Sequence, residues 1–267
     1  MTQAARWDDL MPRVLSAAVM VVVGIGAVWA GGVVFLALVA ALVGAMVWEL
    51  ARMHDPDAPF GRAEAAGFSA AVALTVFHVQ LAGLWLLGAL ALAVALLAWR
   101  MPAPVRGIHA AYLALILLAG AALLLMRGAF GWEWVLWLVL VVIASDVGGY
   151  FAGRMIGGPK LWPRVSPKKT WSGTVAGWVL ALAVGWAMMG VLGTGPGLLV
   201  ASLLLCMAGQ AGDIAESALK RRAGIKDSSN LIPGHGGVLD RFDAMIAAAA
   251  MFLILNETGV IGGMIVG

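Results

Sequence analysis

The chain has 267 residues, of which 63% are hydrophobic and only 12% are charged, and its mean hydropathy is +0.97. Soluble domains are about half apolar and a quarter charged, so this composition excludes an ordinary water-soluble fold. The formal net charge is +3. Because the basic residues stand beside the ends of apolar segments, anionic lipid head groups or a phosphorylated substrate are the expected partners, and nucleic acid is not.

Apolar runs separated by charged or Gly/Pro-rich breaks predict nine membrane-spanning helices, since one span needs roughly 20 apolar residues. In chain order the predicted spans are 14–30, 33–51, 64–80, 82–99, 108–126, 133–151, 173–192, 197–217 and 243–263. The tightest predicted turns lie near residues 31–32 and 81. The predicted fold class is therefore all-α and polytopic.

The basic residues also predict the orientation of these spans. With the N-terminus in the cytoplasm, all of the 17 Lys and Arg residues except Arg127 fall in cytoplasmic segments, as the positive-inside rule requires. An odd number of spans then leaves the C-terminus outside. We predict a multi-pass protein of the cell inner (cytoplasmic) membrane.

The chain divides into two parts of different character. Residues 1–130 offer apolar helices, short loops and isolated histidines, whereas residues 131–267 contain two long polar segments, 152–172 and 218–242. Four carboxylates also stand within the apolar helices of the second part: Asp146, Asp213, Glu216 and Asp243. Each costs roughly 2.5–3.5 kcal/mol in a spanning helix by insertion scales. Their position toward one membrane face predicts a shared polar site.

The first polar constellation lies where the predicted eighth span ends. Asp213, Ser217 and Lys220 are spaced i, i+4 and i+7 and therefore share one helix face, with Glu216 and Arg221 nearby. Mg²⁺ prefers oxygen ligands and phosphate prefers Lys and Arg, so this face suits a metal–nucleotide complex. The alternative is a set of salt bridges at a helix end.

The second constellation begins with Lys226-Asp227 and continues as Ile232-Pro-Gly-His-Gly-Gly-Val-Leu-Asp-Arg-Phe-Asp243. Its proline and glycines predict a tight loop whose backbone N–H groups can face an anion. Asp240 and Asp243, spaced i, i+3, project from one side of the helix that follows. The alternative is an ordinary turn and helix cap.

Two further segments carry polar residues. Ser166-Pro-Lys-Lys-Thr170 precedes the seventh span, where Thr170 or Ser172 could cap the helix and the two lysines strengthen its attraction for anions. Asp146 stands before a small-residue stretch that reaches Arg154 and permits close helix packing. Neither segment is a P-loop, because the chain contains no G-x-x-x-x-G-K-[ST].

The stretch from Ser217 to Asp243, S-A-L-K-R-R-A-G-I-K-D-S-S-N-L-I-P-G-H-G-G-V-L-D-R-F-D, resembles the signature of the phosphatidate cytidylyltransferase (CDP-diacylglycerol synthase) family. The segments Ser166–Thr170 and Asp146 to Arg154 are similar to that family as well. One departure is Ser172, where many members have Glu. If that Glu helps to hold the site, Glu216 is the neighbour expected to take over its work.

The resemblance implies a Mg²⁺-dependent reaction, with a second cation left open, in which CTP and phosphatidic acid give CDP-diacylglycerol and pyrophosphate. The lipid phosphate, whose second pKa is about 6, is largely ionised at neutral pH and needs no protein nucleophile to attack the α-phosphate of CTP. The resemblance also implies a cytoplasmic active site within residues 131–267 and a homodimer, for which residues 1–130 are the candidate oligomerisation region.

The roles of individual residues follow from the same resemblance. The expected metal ligands are Asp213, Asp240 and Asp243, with Asp146 and Glu216 as weaker candidates. The expected contacts to CTP phosphates are Ser217, Lys220 and Arg221. Lys168, Lys169 and Arg241 are expected to neutralise the lipid phosphate or pyrophosphate, and His235 to donate a hydrogen bond to phosphate. The other substrate-binding candidates are Arg154, Ser166, Thr170, Lys226, Asp227, Gly236 and Gly237.

Two alternatives stay open at this point. A related membrane cytidylyltransferase could use another lipid phosphate, because selectivity for the lipid would depend on apolar residues without a distinguishing pattern. An ion-coupled transporter would also contain intramembrane carboxylates. Here, however, the carboxylates cluster toward one membrane face beside lysines and a glycine loop, whereas a conducting path should spread polar groups through the membrane.

Overall fold

A computed structural model describes residues 10–54, 61–80, 84–99 and 103–266. The helices are α1 (Leu10–Ala30), α2 (Gly32–His54), α3 (Arg62–Gln80), α4 (Leu84–Trp99), α5 (Ala103–Leu125), α6 (Trp132–Met155), α7 (Trp171–Leu192), α8 (Gly197–Arg222), α9 (Leu239–Glu257) and α10 (Val260–Val266). A π-helical turn, Met126–Phe130, extends α5, and two strands, β1 (Lys160–Trp162) and β2 (Ser166–Thr170), precede α7. The predicted all-α class is therefore confirmed.

Within the described residues, six helical segments are long and apolar enough to cross a membrane. They are Met11–Ala30, Gly32–Met53, Ala103–Phe130, Trp132–Met155, Trp171–Leu192 and Gly197–Arg222. Valine, leucine and tryptophan side chains remain exposed along them, as on Val22, Trp29 and Trp186, which suits contact with lipid. The chain is a polytopic α-helical membrane protein, while nine spans and the orientation of the termini stay predictions.

The predicted turn between the first two helices is confirmed, and glycine explains why it is so short. Gly31 and Gly32 have φ of +65° and +49°, a left-handed conformation that costs glycine no Cβ clash. Consequently, α1 ends at Ala30 and α2 begins at Gly32. The other predicted tight turn, near residue 81, lies outside the described residues.

The last predicted span, 243–263, differs from the helices that the structure contains. α9 already begins at Leu239 and ends at Glu257, and the short α10 starts at Val260. Gly259 separates them with a φ of +78°, and its N–H donates to the carbonyl of Asn256 at 3.0 Å. An apolar run does not reveal such a glycine stop, because hydropathy does not register backbone conformation.

The polar segment 152–172 contains a short antiparallel hairpin that the sequence reading did not predict. β1 pairs with β2 so that Lys160 lies opposite Thr170 and Trp162 opposite Ser166. Thr170 ends the hairpin and is the N-cap of α7, since its Oγ1 accepts a hydrogen bond from the N–H of Gly173 at 3.2 Å. Of the two residues predicted as possible caps, Thr170 and Ser172, it is therefore Thr170 that caps α7.

The described residues form two compact units. The first unit contains the residues up to Leu124 together with Ala223–Phe242, and the second contains Leu125–Arg222 and the residues from Asp243 onward. In the first unit, Leu50, Leu113 and Ile116 are fully buried, and in the second, Trp137, Leu205 and Phe252 are. The predicted functional division at residue 130 stays a prediction.

Two glycines of α8 allow this helix to approach α9 closely in the second unit. A Cβ added at Gly209 would lie 3.2 Å from the carbonyl oxygen of Ala244. One added at Gly212 would lie 2.6 Å from both the Cβ of Ala247 and the carbonyl oxygen of Asp243. The absence of side chains at these positions therefore brings the α8 segment that carries Asp213 against the part of α9 that contains Asp243.

Gly212→Ala is expected to lower the Tm of the detergent-solubilised protein by roughly 5 °C, since overpacking a tight contact usually destabilises. Thermal unfolding followed by intrinsic tryptophan fluorescence measures this effect. The matched control is Gly190→Ala in α7, where a Cβ would meet no atom within 4 Å and alanine should favour the helix. Equal Tm values for the two variants would contradict the close packing of α8 on α9.

Candidate active site

A cavity of about 350 Å³ in the second unit opens between α6, the hairpin, α7 and α8. It is lined by Ser145, Asp146, Gly149, Tyr150, Gly153, Arg154, Lys168, Lys169, Thr170, Gly173, Thr174, Gln210 and Asp213. Six of the residues singled out from the sequence are among them: Asp146, Arg154, Lys168, Lys169, Thr170 and Asp213. The cavity thus combines three cationic side chains with two carboxylates.

Glycines create the space for this cavity. Asp146, Gly149 and Gly153 are spaced i, i+3 and i+7 on α6 and therefore share one face. A Cβ at Gly173 would lie 2.5 Å from the carbonyl oxygen of Gly149, and one at Gly153 would lie 2.9 Å from the Oγ1 of Thr170. The small-residue stretch that follows Asp146 therefore packs directly against the N-terminal end of α7, as its sequence predicts.

An ion pair between Lys169 and Asp213 lies at the polar wall of the cavity. The Nζ of Lys169 is 2.5 Å from the Oδ2 of Asp213, and both side chains are partly exposed, at 25% and 30%. The same Nζ donates to the carbonyl oxygen of Gln210 at 3.4 Å, and the Oδ1 of Asp213 accepts from the Oγ of Ser217 at 3.4 Å. The pair fixes a cation where an anionic substrate can reach it.

Gln210 holds the wall beneath this ion pair through a network of polar contacts. Its Oε1 accepts from the indole N–H of Trp178 at 2.9 Å. Its Nε2 donates to the Oγ of Ser145 and to the carbonyl oxygen of Thr174, each at 3.2 Å. One amide therefore connects α6, α7 and α8. The sequence reading did not single out Gln210, although an amide inside an apolar helix needs such partners.

The carboxylates of Asp146, Asp213 and Asp243 lie close enough for their charges to interact, with Lys169 and Lys220 as nearby cations. Asp146 is exposed to the cavity. The Oδ1 of Asp243 accepts a hydrogen bond from the N–H of the next residue, Ala244, at 2.7 Å. Like charges in one region repel, so this arrangement suits the binding of cations.

These carboxylates fit a Mg²⁺ ion that is bound together with substrate. Among the described residues, no three His, Cys, Asp or Glu side chains come together as a metal cage. Mg²⁺, however, is usually held by one or two carboxylates plus substrate phosphates and water. Asp213 and Asp243 provide such a pair of oxygen donors. The residues present therefore fit the metal, although not as a closed protein site.

The rest of the predicted α8 face contains a second ion pair. The Nζ of Lys220 lies 2.5 Å from the Oε2 of Glu216, whose side chain is fully buried. A buried carboxylate needs such a partner, because an unpaired charge away from water is costly. Arg221 is exposed in the last turn of α8. Glu216 thus pairs with Lys220, and its weaker candidacy as a metal ligand stays a prediction.

In the first unit, the residues that carry the family signature form one folded segment, a loop that runs into the first turn of α9, which we call the signature loop (residues 226–241). It contains Lys226, Asp227, His235, Gly236, Gly237, Asp240 and Arg241. The Oδ2 of Asp240 accepts from the N–H and the Oγ of Ser228, at 2.8 and 2.9 Å, and from the N–H of Gly237 at 2.8 Å. Asp240 therefore organises this loop, and its role as a metal ligand stays a prediction.

A carboxylate that the sequence reading missed binds the same loop. Glu49 of α2 is fully buried. Its Oε1 and Oε2 accept from the N–H groups of Val238 and Leu239, at 2.9 and 2.7 Å. Loop N–H groups were expected to face an anion, and at residues 237–239 they face the protein's own carboxylates. An acidic residue inside an apolar run was the signal that could have identified Glu49.

His235 is oriented by the first helix. The Oγ of Ser16 lies 2.8 Å from its Nδ1 and 3.0 Å from the carbonyl oxygen of Pro233. Arg241 donates from Nε to the carbonyl oxygen of His235 at 2.9 Å. Gly236 has a φ of +89°, which explains why glycine occupies this position.

Ser166, another substrate-binding candidate, lies at the start of β2 in the second unit.

Comparison with known proteins identifies the family to which the chain is related. A sequence profile described as the cytidylyltransferase family matches residues 11–258. Phosphatidate cytidylyltransferase from Brucella suis is 36% identical over 255 residues, which cover 93% of this chain and 94% of that protein. The Pseudomonas aeruginosa protein of the same name is 34% identical over 265 residues, covering 92% and 96%. This chain belongs to the cytidylyltransferase family.

Proposed function

We propose that this chain transfers the cytidylyl group of CTP to phosphatidic acid and releases pyrophosphate. The observation that carries the proposal is the ion pair of Lys169 and Asp213 in a cavity with Lys168, Arg154 and Asp146. A site for two anionic substrates needs cations for their phosphates and carboxylates for a metal, and this cavity supplies both. The names of the relatives from Brucella and Pseudomonas support the same reaction.

The reaction needs no nucleophile from the protein. An oxygen of the lipid phosphate attacks the α-phosphorus of CTP, a new P–O bond forms, and the bond between the α-phosphorus and the bridging oxygen breaks. Pyrophosphate leaves with the bonding electrons. With a second pKa of about 6, the lipid phosphate is already ionised at neutral pH. Positioning and neutralisation of charge therefore remain as the work of the protein.

The cationic residues of the cavity would perform most of that work. Lys169 is oriented by Asp213, so it meets an incoming phosphate without first losing side-chain freedom. Lys168 and Arg154 line the same cavity and add positive charge against the lipid phosphate or the departing pyrophosphate. Ser166 and Thr170 stand in the strand that carries both lysines and are the further phosphate contacts of this segment.

Mg²⁺ would be held by Asp213 and Asp243, with Asp240, Asp146 and Glu216 as further candidate ligands. When bound, the metal neutralises phosphate oxygens on which negative charge develops. Asp213 also pairs with Lys169. The lysine would therefore lie beside the phosphates of a metal–nucleotide complex bound at Asp213.

The remaining predicted residues take roles that their chemistry allows. Ser217, Lys220 and Arg221 of α8 would contact CTP phosphates. In the signature loop, His235 would donate a hydrogen bond to phosphate and Arg241 would neutralise its charge. The other substrate-binding candidates of this loop are Lys226, Asp227, Gly236 and Gly237. Ser16 orients the imidazole of His235 through Nδ1.

The membrane setting belongs to the same proposal. The asymmetry of Lys and Arg supports nine spans, with the N-terminus and the active site on the cytoplasmic side of the inner membrane. A homodimer formed through residues 1–130 would give the N-terminal helices a further role. Cysteine labelling from either side of sealed vesicles tests the orientation. Labelling of introduced cysteines at Lys168 and Arg127 from the same side would overturn it.

A competition experiment tests the choice of lipid. Purified protein is given CTP, Mg²⁺ and equal amounts of phosphatidic acid and a long-chain isoprenoid phosphate, and the products are identified by mass spectrometry. We expect CDP-diacylglycerol as the product. A cytidylylated isoprenoid phosphate would favour the related enzyme for another lipid. Ion flux through proteoliposomes without nucleotide, together with no cytidylylated lipid, would favour the transporter instead.

A further inference from the structure

Glu49 is a buried carboxylate that the proposed chemistry does not use. It lies near the C-terminal end of α2, which is at His54, and it is 0% exposed. A charged group in a membrane helix is costly and is kept where it has partners. Glu49 has four described donors around it, all of them from residues 228–239.

These contacts hold both ends of the signature loop. At its beginning, the hydroxyl of Ser229 donates to Glu49 at 2.5 Å, and the Oγ of Ser228, which donates to Asp240 at 2.9 Å, lies 3.3 Å from the same carboxylate. At its end, the N–H groups of Val238 and Leu239 donate at 2.9 and 2.7 Å. Both N–H groups lie where α9 begins, and the first N–H groups of a helix have no partner within it. One carboxylate therefore caps α9 and closes the loop.

Gly237 gives independent evidence that the loop is built around Glu49. Its φ is not positive, so backbone conformation does not explain the glycine. A Cβ at this position would lie 2.5 Å from the Oε1 of Glu49 and would also collide with the Oγ of Ser228. A second N-terminal helix reaches the loop as well, because Ser16 of α1 contacts His235 and Pro233.

We propose that Glu49 is a positioning residue, which holds the signature loop in the conformation that the proposed reaction requires. The proposal rests on the proposed function and extends it to the N-terminal helices. The loop carries His235, Asp240 and Arg241, and Glu49 fixes the backbone on either side of them. Without the carboxylate, the buried N–H groups of Val238 and Leu239 and the hydroxyl of Ser229 lose an acceptor at once, which leaves two buried donors unsatisfied.

Glu49→Gln is the variant that tests this role, because glutamine keeps the size of the side chain but offers one acceptor oxygen and an NH₂ group that faces donors. Hydrogen exchange of peptides from residues 226–241 measures the anchoring directly. Steady-state kinetics with CTP and phosphatidic acid measure its consequence. Glu257→Gln, an exposed carboxylate in the last turn of α9, is the matched control. Ser229→Ala, which removes one donor, provides a milder variant.

We expect Glu49→Gln to accelerate exchange in these peptides about tenfold and to lower kcat/KM roughly 100-fold, with a raised KM for at least one substrate. Ser229→Ala should also accelerate exchange and lower kcat/KM, but by smaller factors. Glu257→Gln should match the wild type in both measurements. A lower kcat with both KM values unchanged would indicate a smaller fraction of folded enzyme and would overturn the positioning role.

Unchanged exchange in the loop peptides of Glu49→Gln would overturn the anchoring itself. If Glu49→Gln does not fold, the same two criteria apply to Ser229→Ala, for which wild-type exchange or unchanged KM values overturn the proposal. Exchange does not depend on turnover. Therefore, a wild type that forms no cytidylylated lipid would remove the proposed function, while the exchange data would still decide whether Glu49 anchors the loop.

Discussion

Asp213→Asn is expected to lower kcat/KM by on the order of 10³-fold, the largest effect of any single substitution considered. The change removes the charge that pairs with Lys169 at 2.5 Å and removes one of the two carboxylates best suited to Mg²⁺. Asparagine keeps the size of the side chain and can still accept from Ser217, so helix packing should persist. Product formation from CTP and phosphatidic acid across a range of Mg²⁺ concentrations measures the effect.

The Mg²⁺ series separates the two contributions of Asp213. If the carboxylate binds the metal, the variant should need more Mg²⁺ for half-maximal activity, and Glu257→Gln should not. Activity of Asp213→Asn within tenfold of the wild type, at the same Mg²⁺ requirement, would remove Asp213 from the site. Asp240→Asn is a less direct test of metal binding, because Asp240 also accepts three hydrogen bonds within the signature loop.

Lys169→Gln should lower kcat/KM by roughly 100-fold, since one fixed cation facing the phosphates is lost. Lys160→Gln is the matched control, because Lys160 is an exposed lysine on the other strand of the same hairpin and does not line the cavity. Activity assays at constant ionic strength compare the two variants. Equal losses in both would mean that general positive charge at the membrane surface, and not Lys169, supports the reaction.

Combining the two substitutions tests whether the ion pair acts as a unit. Residues joined by a direct contact usually show non-additive effects. The double variant Asp213→Asn/Lys169→Gln is therefore expected to be little worse than Asp213→Asn alone. A loss equal to the product of the two single losses would show that Lys169 and Asp213 contribute independently, and it would weaken the argument from their 2.5 Å contact.

The helices of this protein were largely predictable from the sequence, because each span is an apolar run that ends at glycine, proline or charge. The predicted breaks at residues 31–32 and before 173 fall where α1 ends and where Thr170 caps α7. Hydropathy gives no information on the hairpin at 160–170 or on the stop at Gly259. Both depend on local backbone conformation within short segments.

The contacts of the candidate site were less predictable than its residues. Lys169, Asp213 and Asp146 were candidates because of charge and resemblance, but only the packing of α6, α7 and α8 shows that they line one cavity. Glu49 lay far from the signature in sequence and stood apart from the polar constellations of the second half of the chain. Its partners are two serines and two backbone N–H groups, and backbone donors leave no mark in the sequence.

The most direct test of the account is the formation of CDP-diacylglycerol. Detergent-purified protein is incubated with CTP, phosphatidic acid and Mg²⁺, and the lipid product is identified by mass spectrometry beside the Asp213→Asn variant. We predict product from the wild type that requires all three components and falls on the order of 10³-fold in the variant. Folded wild-type protein that forms no CDP-diacylglycerol under these conditions would contradict the proposed reaction.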